Sequence, residues 1–235
     1  ARAVLIRARE TNPLNTDHSA NLARLYRRWT DLTTDPNQKA ALANQASLYY
    51  AQATGLSPHN AILWNEWATI DMYLRGDLNG ALAKLQESLK LDDRFDITYM
   101  YLGDVYMNQK ELDKAAEMYK KALALTPGQM QAQSTLAYIY AQQGKVAEAI
   151  QANQALIMLS PTDPQIWNTR KNLAILYAQV GDFQAAINEA QIAASTAPTE
   201  TRTQLLNYAA QLRAQLEAAP QPAGQGLTRT VPVTK

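Results

Sequence analysis

The chain has 235 residues, 47% of them hydrophobic and 18% charged, with a formal net charge of +1. That is enough apolar material for a sizeable core, and too little net charge to attract nucleic acid or an anionic membrane through a global field. Cysteine is absent, which excludes disulfides and thiolate chemistry, and no apolar run approaches the ~18 residues a membrane-spanning helix needs.

Residues 1–13 carry Val4, Leu5 and Ala8 and end at Asn12 and Pro13. This is the pattern of the second helix of a hairpin whose first helix is missing. The chain also starts at Ala1 rather than Met and reads as an excerpt of a longer protein. An uncapped edge of this kind is expected to promote self-association through the N-terminal end. Residues 14–60 predict a hairpin with Leu22, Ala23 and Tyr26 in its first helix and Ala46, Tyr50, Ala53 and Pro58 in its second. Its extra residues fall near 27–40, where Thr33, Thr34, Asp35 and Pro36 signal a turn and a helix start. Lengthened helices around an enlarged loop are expected there.

Residues 61–95 predict a hairpin built on Trp64, Trp67, Ala68 and Ala81, with one extra residue around 72–75. Residues 96–129 give the cleanest unit: Tyr99, Leu102, Gly103, Tyr106, Ala115, Tyr119, Ala122 and Pro127. The same series returns in residues 130–163 as Leu136, Ala137, Tyr140, Gly144, Ala149, Leu156 and Pro161. It returns again in residues 164–200 as Leu173, Ala174, Tyr177, Gly181, Ala186, Ala193 and Pro198. Residues 201–219 place Leu205, Leu206, Tyr208, Leu212 and Leu216 on one broad face against a polar back, which predicts a capping helix. Residues 220–235 have no helical period and read as a tail.

The unit-ending position holds Pro13, Pro58, Asp93, Pro127, Pro161 and Pro198, at intervals of 45, 35, 34, 34 and 37. Proline suits it, having no N–H to lose and a fixed φ for starting the next helix. Gly103, Ala137 and Ala174, with Ala115, Ala149 and Ala186, stand where two helices cross, because a larger side chain would force the axes apart. Gly144 and Gly181 stand in the turn between the two helices, where a left-handed residue is needed.

This series resembles the tetratricopeptide repeat, whose pattern runs W-x2-L-G-x2-Y, then A-x3-F, then P. The resemblance implies an all-α fold, a right-handed superhelix of stacked antiparallel helix hairpins. It also implies that the first helix of each repeat, helix A, lines a concave groove. Carried onto this chain, the groove would present Asn21, Arg24, Arg27, Arg28, Asn65, Thr69, Met100, Tyr101, Asp104 and Asn108. Further along it would present Ser134, Tyr138, Gln142, Lys171, Asn172 and Gln179. The strongest candidates are Arg24, Arg28, Asn65, Tyr101, Asp104, Asn108, Tyr138, Gln142, Lys171 and Asn172, a mixture suited to hydrogen bonding and stacking on an extended protein or peptide segment. Family members that bind chaperone tails carry a basic clamp around a fixed asparagine. Arg24, Thr69, Asp104, Tyr138 and Ile175 occupy that position here, so capture of a C-terminal carboxylate is not expected.

A second, shorter resemblance covers residues 12–29, which look like the opening of the repeat tail of bacterial O-antigen ligase/polymerase-type membrane proteins. It implies the alternative of a soluble regulatory or glycan-guiding domain. Sites for chemistry are not visible. His18 and His59 have no partner at metal-ligand spacing, and Asp92, Asp93 and Asp96 suit helix capping better than calcium. Gly76 and Gly80 are followed by no phosphate-binding lysine. No catalytic, cofactor or metal residue is predicted, and an enzyme is not expected. Nor is a nucleic-acid partner, because Arg24, Arg27 and Arg28 lie on a single helix rather than along a stripe. Direct membrane insertion of the segment is not expected either, and the compartment stays open.

Overall fold

The computed structural model describes residues 1–218, and among them every regular element is helical. The predicted tail, 220–235, lies outside the described residues. Two compact units divide at Ala152 and Asn153, inside one helix. Unit 1 holds α1 (Arg2–Thr11), α2 (Thr16–Thr30), α3 (Pro36–Leu56), α4 (Ala61–Ile70), α5 (Leu78–Leu91), α6 (Asp96–Asn108), α7 (Leu112–Leu125), α8 (Met130–Gln142) and the start of α9 (Val146–Leu159). Unit 2 holds the rest of α9 with α10 (Ile166–Gln179), α11 (Phe183–Thr196) and α12 (Thr199–Ala218). No described helix is long and apolar enough to cross a membrane.

In unit 1 the pairs α2–α3, α4–α5 and α6–α7 pack as hairpins, and each rests on the next element in the chain. In unit 2, α11 lies against both α10 and α12. Local chemistry starts these helices. Asn15, Asp35, Asn60, Asp77 and Asp182 are N-caps whose side chains accept from backbone N–H groups of the first turn, and Pro36 opens α3. Four of the turns between helices contain a left-handed residue: Gly76 (φ 68°), Lys110 (φ 62°), Gly144 (φ 69°) and Gly181 (φ 80°). Each lets the backbone reverse within a few residues.

The helix crossings use the small residues. Ala115, Ala149, Ala174 and Ala186 have no exposed surface. At Gly103 a methyl group would lie 2.7 Å from the Tyr119 ring, so α6 and α7 can approach this closely only over a glycine.

Several details differ from the expectations drawn from sequence. The extra residues of the 14–60 unit are mostly helical: α3 runs for 21 residues. The α2–α3 connection, residues 31–35, is only slightly longer than the 109–111 turn. The surplus residue of the 61–95 unit is absorbed by a single π-helical turn, Asp71–Arg75, that continues α4. In α1, Leu5 and Ile6 pack on the α2–α3 core while Val4 is exposed. In α12 only a narrow stripe is buried, Leu205, Ala209 and Leu212, on the side that packs against α11 and α10. Leu206 and Leu216, expected on the packed face, are exposed.

Candidate functional site

Three A helices of unit 1, α2, α4 and α6, converge with α3 on a cavity of about 570 Å³. Arg24, Arg27, Arg28 and Asp31 line it from the end of α2, and Tyr50 reaches it from α3. Glu66, Thr69 and Tyr73 come from α4 and its π turn, and Tyr101 from α6.

Its charges are arranged in pairs and leftovers. Arg24 clasps Glu66: Nε lies 3.1 and 3.0 Å from the two carboxylate oxygens, and Nη2 is 3.0 Å from Oε2. Burial pulls the Arg24 guanidinium down, but Glu66 outweighs it and the net direction is up. Burial pushes the Tyr50 phenol well up, and Glu66 adds to the rise. Arg27 and Arg28 are exposed and enter no ion pair among the described residues. Beside the cavity, the Tyr73 hydroxyl donates to Asp104 Oδ2 at 2.6 Å, and the Tyr119 hydroxyl donates to Asp104 Oδ1. Both phenols are raised, first by burial and then by this carboxylate.

The predicted groove residues separate accordingly. Arg24, Arg28 and Tyr101 line the cavity, and Asp104 stands one helical turn beyond Tyr101. Asn108 is exposed a turn further, its Nδ2 donating to the Asp104 carbonyl at 2.8 Å. Tyr138 and Gln142 are exposed on α8. Asn65 is a correction: it is buried, not presented to solvent. Its Nδ2 donates to Thr98 Oγ1 at 2.8 Å, Thr98 meets Ser88 at 3.1 Å, and the Ser88 hydroxyl donates to the Ala61 carbonyl at 3.2 Å. This polar seam joins α4, α5 and α6, and it turns Asn65 inward because a buried hydroxyl needs a partner. Met100 is also buried, packed in the core rather than in the groove.

Unit 2 has a different pocket. Lys171, Ile175, Thr201, Gln204, Leu205 and Tyr208 surround about 340 Å³ of mainly apolar space. The Lys171 ammonium stands 5.7 Å from the Trp167 ring centre, and Asn172 is exposed.

Tyr50, Glu66 and Tyr73 were not among the residues expected from sequence. Tyr50 reads as a packing residue of helix B. The Arg24–Glu66 pair spans 42 positions with no local signal. Tyr73 owes its direction to the π turn. His18 sits in the first turn of α2 and His59 in the α3–α4 turn. Among the described residues no group of three or more His, Cys, Asp or Glu is placed to hold a metal ion.

These features define an all-α helical-repeat scaffold that exposes one polar, aromatic-walled face. Residues 73–130 and 102–164 match the sequence profile of the tetratricopeptide repeat, so this part of the chain carries repeats of that family. The BBSome complex member BBS4 of Bos taurus is 29% identical over 114 residues, 48% of this chain and 22% of that protein. The chain spans about a fifth of the length of the curated relatives it matches first. Two solved structures share the fold. YrrB, described as a TPR protein with an unusual peptide-binding site, has a TM-score of 0.64 at 17% identity, covering 88% of this chain and 97% of its own. MamA has a TM-score of 0.62 at 18% identity, covering 88% and 98%.

Proposed function

We propose that unit 1 binds an extended segment of a protein partner across α2, α4 and α6, with the 570 Å³ cavity as its anchor point. The observation that carries this reading is the convergence of three successive A helices on one open cavity whose walls are tyrosines and whose unpaired groups are guanidiniums. Tyrosine and arginine are the side chains that most often dominate interface energetics, because each combines a large rigid contact area with polar bonding. The description of YrrB as a peptide-binding protein of the same fold supports the reading. The remaining candidates of unit 1, Tyr138 and Gln142 on α8, are secondary contacts for the same partner.

The test is a peptide array screened with the 235-residue protein, followed by titration of the hits while backbone amide shifts are recorded. Shifts are expected at residues 24–31, 66–73 and 101–104. Binding peptides whose shifts fall only on α5 and α7 defeat the proposal.

A further inference from the structure

The acids and bases around the unit 1 cavity are unequally available. Glu66 is held by Arg24 through both oxygens. Asp104 is engaged at both oxygens, by Tyr119 and by Tyr73. Asp31, the exposed C-cap of α2, balances one of the two remaining guanidiniums, Arg27 and Arg28, and leaves the other in surplus. Arg27 lines the cavity together with Tyr73 and Tyr101, and Asp104 stands beside it, bonded to the Tyr73 hydroxyl. Burial raises the Tyr101 phenol, Asp104 adds to the rise and Arg27 opposes it.

Tyr73 reaches Asp104 because of the π turn. One extra residue between α4 and α5 rotates the later side chains away from their α-helical directions. The turn sends Asp71 inward, where Arg75 Nη1 at 2.8 Å and Lys84 Nζ at 2.5 Å pair with it. Tyr73, two residues on, points outward, more than half exposed, and spans 31 positions to α6.

Resting on the peptide-binding reading above, we propose that Tyr73 is a specificity-determining residue of this cavity. By occupying Asp104 it leaves Arg27 and Arg28 to the ligand, so the cavity selects an acidic side chain of the partner segment and rejects a basic one. An Asp104 oxygen without its phenol would act in two ways. It would attract Arg27, removing a guanidinium from the ligand, and it would accept a lysine from the ligand. Hydrogen bonds to an ionised carboxylate are the strong ones, so engagement by two hydroxyls holds it against both rivals.

The experiment uses three peptides of equal length in one Gly/Ser/Tyr background, carrying glutamate, glutamine or lysine, titrated by fluorescence polarisation at low salt. The glutamate peptide is expected to bind about tenfold more tightly than the glutamine peptide, and the lysine peptide more weakly than either. Tyr73→Phe keeps the ring and removes the hydroxyl. It is expected to abolish most of that order, and Tyr73→Phe with Asp104→Asn to restore it, because the amide no longer competes for cations. A purely structural role for Tyr73 predicts no rescue by the second change. Equal binding of all three peptides, or an unchanged order in Tyr73→Phe, overturns the inference and leaves the peptide-binding reading standing. Failure of all three to bind defeats that reading and the inference with it.

Discussion

The hairpins α4–α5 and α6–α7 are neighbours in unit 1 and reach a similar shape by opposite chemistry. In α6–α7 the crossing is dry and small: Tyr119 lies on Gly103, and Ala115 and Ala122 are fully buried. In α4–α5 a fully buried carboxylate, Asp71, holds the corner. Arg75 and Lys84 flank it, and Lys84 also stands 4.3 Å from the centre of the Trp67 ring. Small residues fix a crossing by letting backbones approach. The ionic corner fixes a π turn instead, by giving Asp71 partners only when it points inward. A buried ion pair adds little net stability over apolar packing, so its value here is register. The exchange gains a side chain: Tyr73 leaves its own hairpin and joins the other at Asp104.

That shared carboxylate gives the largest expected effect, because one variable loosens both hairpins. Tyr119 and Tyr73 both donate to Asp104, and both phenols are raised, first by burial and then by that carboxylate. A raised folded-state pKa means the native state holds protons that the unfolded chain releases. The stabilisation is complete below the ordinary tyrosine value of about 10 and is lost as pH climbs above it. Unit 1 should therefore unfold at alkaline pH together with phenolate absorbance. Free titration of these tyrosines while the helical signal persists would exclude it. Next in size, Asp71→Ala leaves Lys84 buried without its partner and is expected to cost about 3–5 kcal/mol in urea melts. Adding Lys84→Met should recover most of the loss. If the double variant is as unstable as the single one, the corner is not held by charge.

How far the sequence shows this contrast depends on the distance over which each feature is encoded. The small residues Gly103, Ala115 and Ala149 recur at repeat spacing, and their burial follows from that spacing. So does the left-handed turn at Gly144 and Gly181. The surplus residue near 72–75 is visible as a break in the same spacing, but not its form, since a loop or a π turn would absorb it equally. The direction of Tyr73, and hence its place at the cavity, follows only from the turn. Asn65 falls on the groove side when positions are counted along an ideal helix. Its real neighbours, Thr98 and Ser88, are brought to it by packing of α5 and α6. The Arg24–Glu66 clasp joins two helices through space alone. The helix crossings and turns were therefore legible, and the division of the charges around the cavity into engaged and free was not.

The dry hairpin can be tested at its tightest point. Gly103→Ala places a methyl group 2.7 Å from a ring whose hydroxyl is bonded to Asp104, so the ring cannot swing away without losing that bond. Overpacking of this kind costs about 1–3 kcal/mol, and Ala115→Leu should fall in the same range. A melting temperature unchanged in both variants contradicts the crossing described here. The same-sized change at Gly55, where a methyl group would meet nothing within 4 Å, serves as the control.

The smallest effect sits at the turn of the same hairpin. Lys110 takes φ 62° where three other hairpin turns place glycine, at 68°, 69° and 80°. A left-handed conformation costs an L-residue roughly 1–2 kcal/mol, while glycine loses about 0.5–1 kcal/mol more chain entropy on folding. The difference favours Lys110→Gly by a few tenths to about 1 kcal/mol. Lys110 is exposed, and its backbone N–H, which donates to the Met107 carbonyl at 3.0 Å, is kept in the variant. The gain should appear as a higher urea midpoint with an unchanged slope. The reverse change at the matching turn, Gly144→Lys, should lose a similar amount. If Lys110→Gly is neutral while Gly144→Lys is destabilising, the lysine side chain contributes something at this turn beyond its backbone. The difference between the two hairpins would then lie in that flexible ammonium as well as in the crossing.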